Sequence, residues 1–310
     1  MSGRRLDLVA LGEPMVEFNQ VDPGQPQFLQ GFGGDTSNAS IAAARSGARI
    51  AYITRVGDDA FGQGLLGLWR AEGIETEGVT VDPEAPTGIY FVTHGPEGHV
   101  FSYRRAGSAA SRLSPANLPG ALIAEAEVLH LSGITQAISL SAADAGFAAI
   151  AQARAAGTLV AYDANLRRQL WPLERARATV HAAMAQADIA LPGLDDARAL
   201  TGLDTPDAIV DFYLGLGAGV VALTLGAEGA LIATPRERRQ LAPRPAEAVD
   251  ATAAGDTFDG AFLAEYVRSR DPFAAGRYAC AAASLSTEGF GAIEPIPRRA
   301  RILAALGAAT

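Results

Sequence analysis

The segment AVDATAAGDTFDGAFLAEY, residues 248–266, sets a carboxylate, Asp256, directly after a run of small residues and directly before an amphipathic stretch. Phe258, Ala261, Phe262 and Tyr266 share one face at helical spacing, which starts a helix around Gly255. Ala253, Ala254 and Gly255 leave the amide N–H groups of that first turn uncovered. Such amides bind phosphate oxygens and stabilise negative charge developing in a transition state. Asp256 would then stand where a base can take a proton from a hydroxyl held beside the pocket. Amides for a moving phosphoryl group and an acid for its acceptor suit phosphoryl transfer to an alcohol. The plainer alternative is that Asp256 caps the helix, and spacing alone does not choose between the two.

Composition narrows the partners. The chain has 310 residues, 49% hydrophobic and 19% charged, as expected of a globular protein able to bury a large core. A net charge of −9 argues against nucleic acid and anionic membranes as main partners. No apolar run reaches the length of a membrane span, and Asp7 and Glu13 interrupt what would be the apolar core of a signal peptide. A single cysteine, Cys280, agrees with a reducing compartment, so the expectation is a cytoplasmic protein with an inert buried thiol. All 25 basic residues are arginine. There can be no lysine-bearing P-loop and no Schiff base, so anions must be met by arginine, amides or a metal ion. His94, His99, His130 and His181 show no metal spacing, and Trp69 and Trp171 read as packing residues.

The elements that must position Asp256 alternate along the chain. Strands are expected at 6–12, 48–57, 127–133, 158–165, 188–193 and 219–226. Helices are expected at 36–47, capped near Asp35, and at 60–73, 140–157, 172–186, 194–201 and 206–216. This rhythm means an α/β fold, a doubly wound and mainly parallel sheet between helical layers, in one domain spanning 1–310. Two segments break it. Residues 15–31 and 78–107 alternate apolar and polar side chains and carry Asp-Pro, Gly-Pro and Pro-Glu-Gly turns, so they are expected to form a small antiparallel β lid.

DATAAGDTFDGAFLA resembles the C-terminal signature of the ribokinase-like (PfkB) carbohydrate kinases, D-T-x-G-A-G-D-x-F, at Asp250, Thr252, Ala254, Gly255, Asp256 and Phe258. Ala253 replaces the first family glycine, which demands a backbone conformation that alanine can adopt. The resemblance implies that Asp256 is the catalytic base and that the amides of Ala253, Ala254 and Gly255 form the anion hole. GFGGDTSNASIAAARSG, 31–47, is similar to the family's N-terminal signature at Gly33, Gly34, Asn38 and Ala39. Two glycines there would let backbone approach a sugar, with Asp35 and Asn38 bonding hydroxyls; an ordinary turn and cap is the plain alternative. RVGDDAFG, 55–62, matches the family's G-x-D-x-x-G. LTLGAEGALI resembles its nucleotide-binding strand and loop at Thr224, Gly226 and Gly229. LPGLDDARALTG resembles the segment that organises Mg²⁺, with Gly193 at the asparagine position and Asp196 at the glutamate position. Asp196 is therefore expected to act on the metal through water. The implied co-substrate and ions are ATP, Mg²⁺ and a possible monovalent cation, and a homo-oligomer using the lid's exposed face is expected.

GIYFVTH, FSYRRAGSAAS, LHLSGIT and YDANLRRQLW resemble the 2-keto-3-deoxygluconate kinases of that family. By position, Tyr90, Tyr103, Arg105 and Arg167 would bind a sugar acid. Planar guanidinium groups hold a carboxylate better than any other side chain, and a neutral sugar would not need two. The arginines could equally be a solvated surface pair. The rival readings are a fructokinase- or ribokinase-like kinase of a neutral sugar and, in a different class, a silent sugar or nucleotide sensor, which would have no need of a base. A dehydrogenase is disfavoured because ALGEP lacks the G-x-G-x-x-G turn.

Overall fold

A computed structural model describes residues 4–95 and 98–307; the Pro96–Glu97 step of the expected second hairpin turn lies outside them. The strands in chain order are β1 (Leu6–Leu11), β2 (Met15–Gln20), β3 (Phe28–Gly33), β4 (Ile50–Gly57), β5 (Val79–Asp82), β6 (Ile89–Gly95) and β7 (Gly98–Arg104). They continue with β8 (Ala126–Ser132), β9 (Leu159–Asp163), β10 (Ile189–Leu191), β11 (Val220–Thr224), β12 (Ala230–Ala233) and β13 (Arg238–Leu241). Nine of them form one sheet in the order β13-β12-β11-β10-β9-β8-β1-β4-β5. Every pairing from β11 to β5 is parallel, and β12 and β13 add an antiparallel edge. Parallel strands buried on both faces need no alternation, and LDLVAL and VVALT have none. One face carries the Leu140–Ala155, Leu173–Met184 and Pro206–Leu216 helices, and the other carries Asp35–Arg45, Ala60–Ala71, Ala254–Ser269 and Pro272–Ser286. The expected three-layer architecture is present.

The lid is a four-stranded sheet in the order β3-β2-β6-β7. Each hairpin is antiparallel, while β2 and β6 meet in parallel. The lid begins later than expected from 78–107: Val79–Asp82 runs parallel to β4 and closes the edge of the main sheet, whose backbone groups would otherwise lack partners. Register divides the lid's two faces. Phe18 and Phe91 stack on one of them, and Phe18 meets Phe61 of the Ala60–Ala71 helix edge-on at 5.7 Å, which fastens the lid to the body. Glu17, Tyr90 and Tyr103 lie across the other.

Backbone contact fixes the two helices that matter most for chemistry. A Cβ on Gly260 would stand 2.0 Å from the Ala39 carbonyl oxygen, so the Ala254–Ser269 and Asp35–Arg45 helices cross with nothing between them. That crossing lies about one turn from Asp256 and is adjacent to Asn38.

Candidate active site

Parallel strands deliver their following residues to one edge of a sheet, where α/β folds bind ligands. Here Glu13 follows β1, Ser132 ends β8, Asp163 ends β9, Gly193 follows β10 and Thr224 ends β11. The Ala254–Ser269 helix points its N-terminus into this edge. Its N-cap is Ala253, with φ 59° and ψ 16°, and no side chain caps it. Asp256 therefore does not cap the helix. It sits in the first turn and accepts a hydrogen bond from Asn38 Nδ2 at 2.8 Å.

The left-handed backbone at Ala253 is the conformation in which the family signature places glycine. For alanine it costs about 1–2 kcal/mol, offset in part because glycine is freer in the unfolded chain. Ala253→Gly should accordingly stabilise the fold by roughly 0.5–1 kcal/mol, raising Tm by about 1–3 °C in a thermal melt. A lowered Tm would show that the site does not strain alanine.

The amides of this turn are not all open. Ala254 N donates to Ala251 O at 3.2 Å, so the expectation that Ala254 offers a free N–H is corrected: its position in a tight turn uses that donor internally. The amides of Gly255 and Asp256 have no protein partner among the described residues. A side chain at Gly255 would project into open space, so the glycine keeps the approach to those amides clear.

Burial, and then the neighbouring Asp35 carboxylate, push the Asp256 carboxyl up to about 7, against the opposing effects of the Asn38 hydrogen bond and the Arg167 charge. A base must be ionised to accept a proton. A rate limited by Asp256 is therefore full above its pKa and falls tenfold per unit as pH drops below about 7. The acid limb of kcat/KM measures this, and a limb near pH 4 would mean that Asp256 is more solvated than the structure places it.

Asp35 begins its helix after N-cap Gly34, and its carboxylate is not spent on capping. Instead it accepts from Ser132 Oγ and, at 3.1 Å, from Asn165 Nδ2, which ties three strand ends together. Asn38 Oδ1 and Asp35 Oδ1 have no hydrogen-bond partner among the described residues, and both are buried acceptors that hydroxyl groups could satisfy. The two glycines before them are required by the packing of the protein itself. A Cβ at Gly33 would fall 2.5 Å from the Tyr90 hydroxyl, and one at Gly34, with φ 110°, would fall 2.3 Å from the Glu13 carbonyl oxygen. They admit protein neighbours closely, before any sugar is considered.

The lid residues gather as expected. Tyr90 donates to the buried Glu17 carboxylate; burial first, then Glu17 and, more weakly, the Asp256 charge raise the pKa of its hydroxyl. Tyr103 lies beside it with ring centroids 5.8 Å apart. The Arg105 guanidinium covers the Tyr103 ring at 4.7 Å and pairs with Glu13 at 2.7 Å. Its side chain is 11% exposed, against 0% for Glu13, so Arg105 is not a surface arginine; Arg104, which is exposed, donates to the Tyr103 carbonyl. Arg167 is exposed and donates to the Leu166 carbonyl at 3.1 Å, yet its charge reaches both Asp256 and Asp196. Asp196 Oδ2 accepts from Leu166 N at 2.9 Å and so holds the turn that carries Arg167.

Thr224, the last residue of β11, and Gly193, just beyond β10, form an isolated parallel bridge. Leu225 N donates to Gly229 O at 2.8 Å, and Gly226 and Gly229 adopt φ 61° and 89°, which shapes the loop after β11. No group of three metal-ligating side chains occurs among the described residues.

Three acids were not singled out from the sequence. Asp259 lies one turn after Asp256, and both it and Asp163 have strongly raised pKa values because they are buried against each other and near Asp35 and Asp256. One proton between them relieves the repulsion, and Asp163 Oδ1 also accepts from Asn165 N at 3.0 Å. Glu13 is the third. Its available signal was a lone acid immediately after the first strand.

A family model described as pfkB family carbohydrate kinase matches residues 5–299. The chain belongs to the pfkB family of carbohydrate kinases. It is 36% identical to a 2-dehydro-3-deoxygluconokinase of Thermoproteus tenax over 96% of this chain and 94% of that one. It is 31% identical to fructokinase-2 of Solanum habrochaites, over 96% and 95%. A putative ribokinase II from E. coli, solved in complex with ATP and Mg²⁺, superposes with a TM-score of 0.91 at 25% identity, covering 98% of this chain and 99% of that one.

Proposed function

We propose that the protein transfers the γ-phosphoryl group of ATP to the primary 6-hydroxyl of a sugar acid, 2-keto-3-deoxygluconate, giving the 6-phosphate. The observation that carries this reading is Arg105, a guanidinium beneath the lid, stacked on Tyr103 and almost fully buried. A second cation, Arg167, is near enough for its charge to act on Asp256 and Asp196. Similarity to a 2-dehydro-3-deoxygluconokinase supports it.

In this reading the sugar lies between Asp35, Asn38 and the tyrosine face of the lid, with its carboxylate on Arg105 and Arg167 and its 6-hydroxyl at Asp256. Asp256 takes the hydroxyl proton as the oxygen attacks the γ-phosphorus, whose bond to the β,γ-bridging oxygen breaks to release ADP. The Gly255 and Asp256 amides meet the oxygens of the moving phosphoryl group, where charge builds. We assign the nucleotide base to the open cleft of about 510 Å³ lined by Arg244, Pro245, Val249 and Glu288. That stretch is tied to Thr287 O by the amides of Val249 and Asp250, at 2.7 and 3.1 Å, and leads directly into the anion-binding turn. The residues fit Mg²⁺ held mainly by waters and phosphates: Asp196 commits one oxygen to Leu166 N, which leaves the other for a water of the ion's shell, and Gly193 adds no ligand. Bound magnesium would neutralise phosphate charge.

Phosphorus NMR of the product from ATP and 2-keto-3-deoxygluconate tests the reading. A new phosphomonoester coupled to the C6 protons is expected; phosphate at another carbon, or none, would refute it. The second reading is a kinase of a neutral sugar. Its support is the pairing of Arg105 with Glu13, which already answers the arginine's charge, together with the similarity to fructokinase-2.

A further inference from the structure

Glu13 is completely buried just beyond the end of β1, and the cation that answers it among the described residues is the Arg105 guanidinium at 2.7 Å. The contact is an ion pair without hydrogen-bond geometry. Neither Glu13 oxygen has a hydrogen-bond partner among the described residues, and neither does the Arg105 Nε. The remaining groups facing Glu13 make matters worse for its charge. Asp35, from the helix packed alongside, is a second anion, and Tyr52 of β4 is neutral. A buried carboxylate whose cation is shared with another anion becomes neutral by protonation, because desolvation is otherwise uncompensated.

We propose that Glu13 is the charge counterpart of the substrate carboxylate: when the sugar acid binds Arg105, Glu13 takes one proton from solvent and leaves the guanidinium's charge to the substrate. This rests on the sugar-acid reading above. The charges balance, since one anion enters and one carboxylate becomes a carboxylic acid. Glu13 thereby acts as a specificity-determining residue. It keeps Arg105 paired while the site holds no acid, and it releases that charge only to an anion. Burial already raises the Glu13 carboxyl to about 7 with Arg105 beside it. Losing part of that partner raises it further, so proton uptake is greatest above pH 7 and vanishes well below it.

Calorimetric titration of the enzyme with 2-keto-3-deoxygluconate in Tris and in HEPES counts the protons. At pH 8 the difference in heats should report uptake of about one proton, and at pH 6 almost none. The acid's Kd should rise about tenfold between pH 8 and 9, while the Kd of 3-deoxyfructose, which carries a hydroxymethyl in place of the carboxylate, should not follow it. That comparison cancels Asp256, which meets the same 6-hydroxyl in both ligands. Glu13→Gln should abolish the acid-specific uptake. Arg105→Ala should abolish it independently, because Glu13 without its cation already holds the proton before binding. If the acid binds more tightly than 3-deoxyfructose through Arg105 but no proton is taken up, or if uptake survives in either variant, the inference is overturned and the sugar-acid reading stands. If the acid binds no better than 3-deoxyfructose, both fall.

Discussion

Replacing Asp256 by asparagine should lower kcat by about 10²- to 10⁴-fold while leaving ATP and sugar affinities within a few-fold. The substitution is nearly isosteric, and Asn38, whose Nδ2 donates at 2.8 Å, already presents the donor that an asparagine oxygen accepts from. The helix start is not disturbed, since Asp256 does not cap it. The loss should therefore fall on the chemical step. The acid limb of the pH profile should vanish with the carboxylate, which a purely structural residue would not produce. Steady-state kinetics with separate binding titrations distinguishes the cases. Turnover near that of the unaltered enzyme would remove the Asp256 carboxylate from the mechanism and leave the Gly255 and Asp256 amides as the main contribution of this turn.

The second large effect concerns the arginines. Arg105→Ala and Arg167→Ala should each weaken the sugar acid by about 10- to 150-fold, the worth of a charge-assisted hydrogen bond, with ATP affinity nearly unmoved. Arg167→Lys should stay impaired, because an ammonium cannot reproduce a bidentate fork. Arg105→Ala also strands Glu13, which is buried opposite it, so raw affinity alone would mix a lost contact with a disturbed site. The comparison with 3-deoxyfructose separates them: a lost carboxylate contact matters only when the ligand has a carboxylate. Equal losses for both ligands would make the arginines structural and advance the neutral-sugar reading.

Much of this site could be read from the chain before folding, for reasons that differ by residue. The place of Asp256 at a helix start was legible because it is local, with three small residues, an acid and a helical apolar face within one segment, whereas the choice between base and cap was not. The lid was legible from its alternation, and the sheet from its unbroken apolar strands. Val79–Asp82 was misallotted to the lid because a short alternating strand looks the same whether its partner is β4 or a neighbouring hairpin. Contacts distant in sequence were the real limit. Glu13 meets Arg105, and Asp163 meets Asp259, only after strands and helices stack. The glycines Gly33 and Gly34 could be found by motif, but the Tyr90 hydroxyl and Glu13 carbonyl that exclude a side chain there could not. Nor could spacing foresee that Ala254 spends its own amide on Ala251.

The deciding property is whether the enzyme prefers an anionic sugar. The direct measurement is kcat/KM for 2-keto-3-deoxygluconate against kcat/KM for 3-deoxyfructose, at saturating ATP and magnesium and at one pH near 7. Two guanidinium contacts predict a ratio of at least about 10- to 100-fold in favour of the acid. A ratio of one or less would contradict the account and make the protein a kinase of neutral sugars.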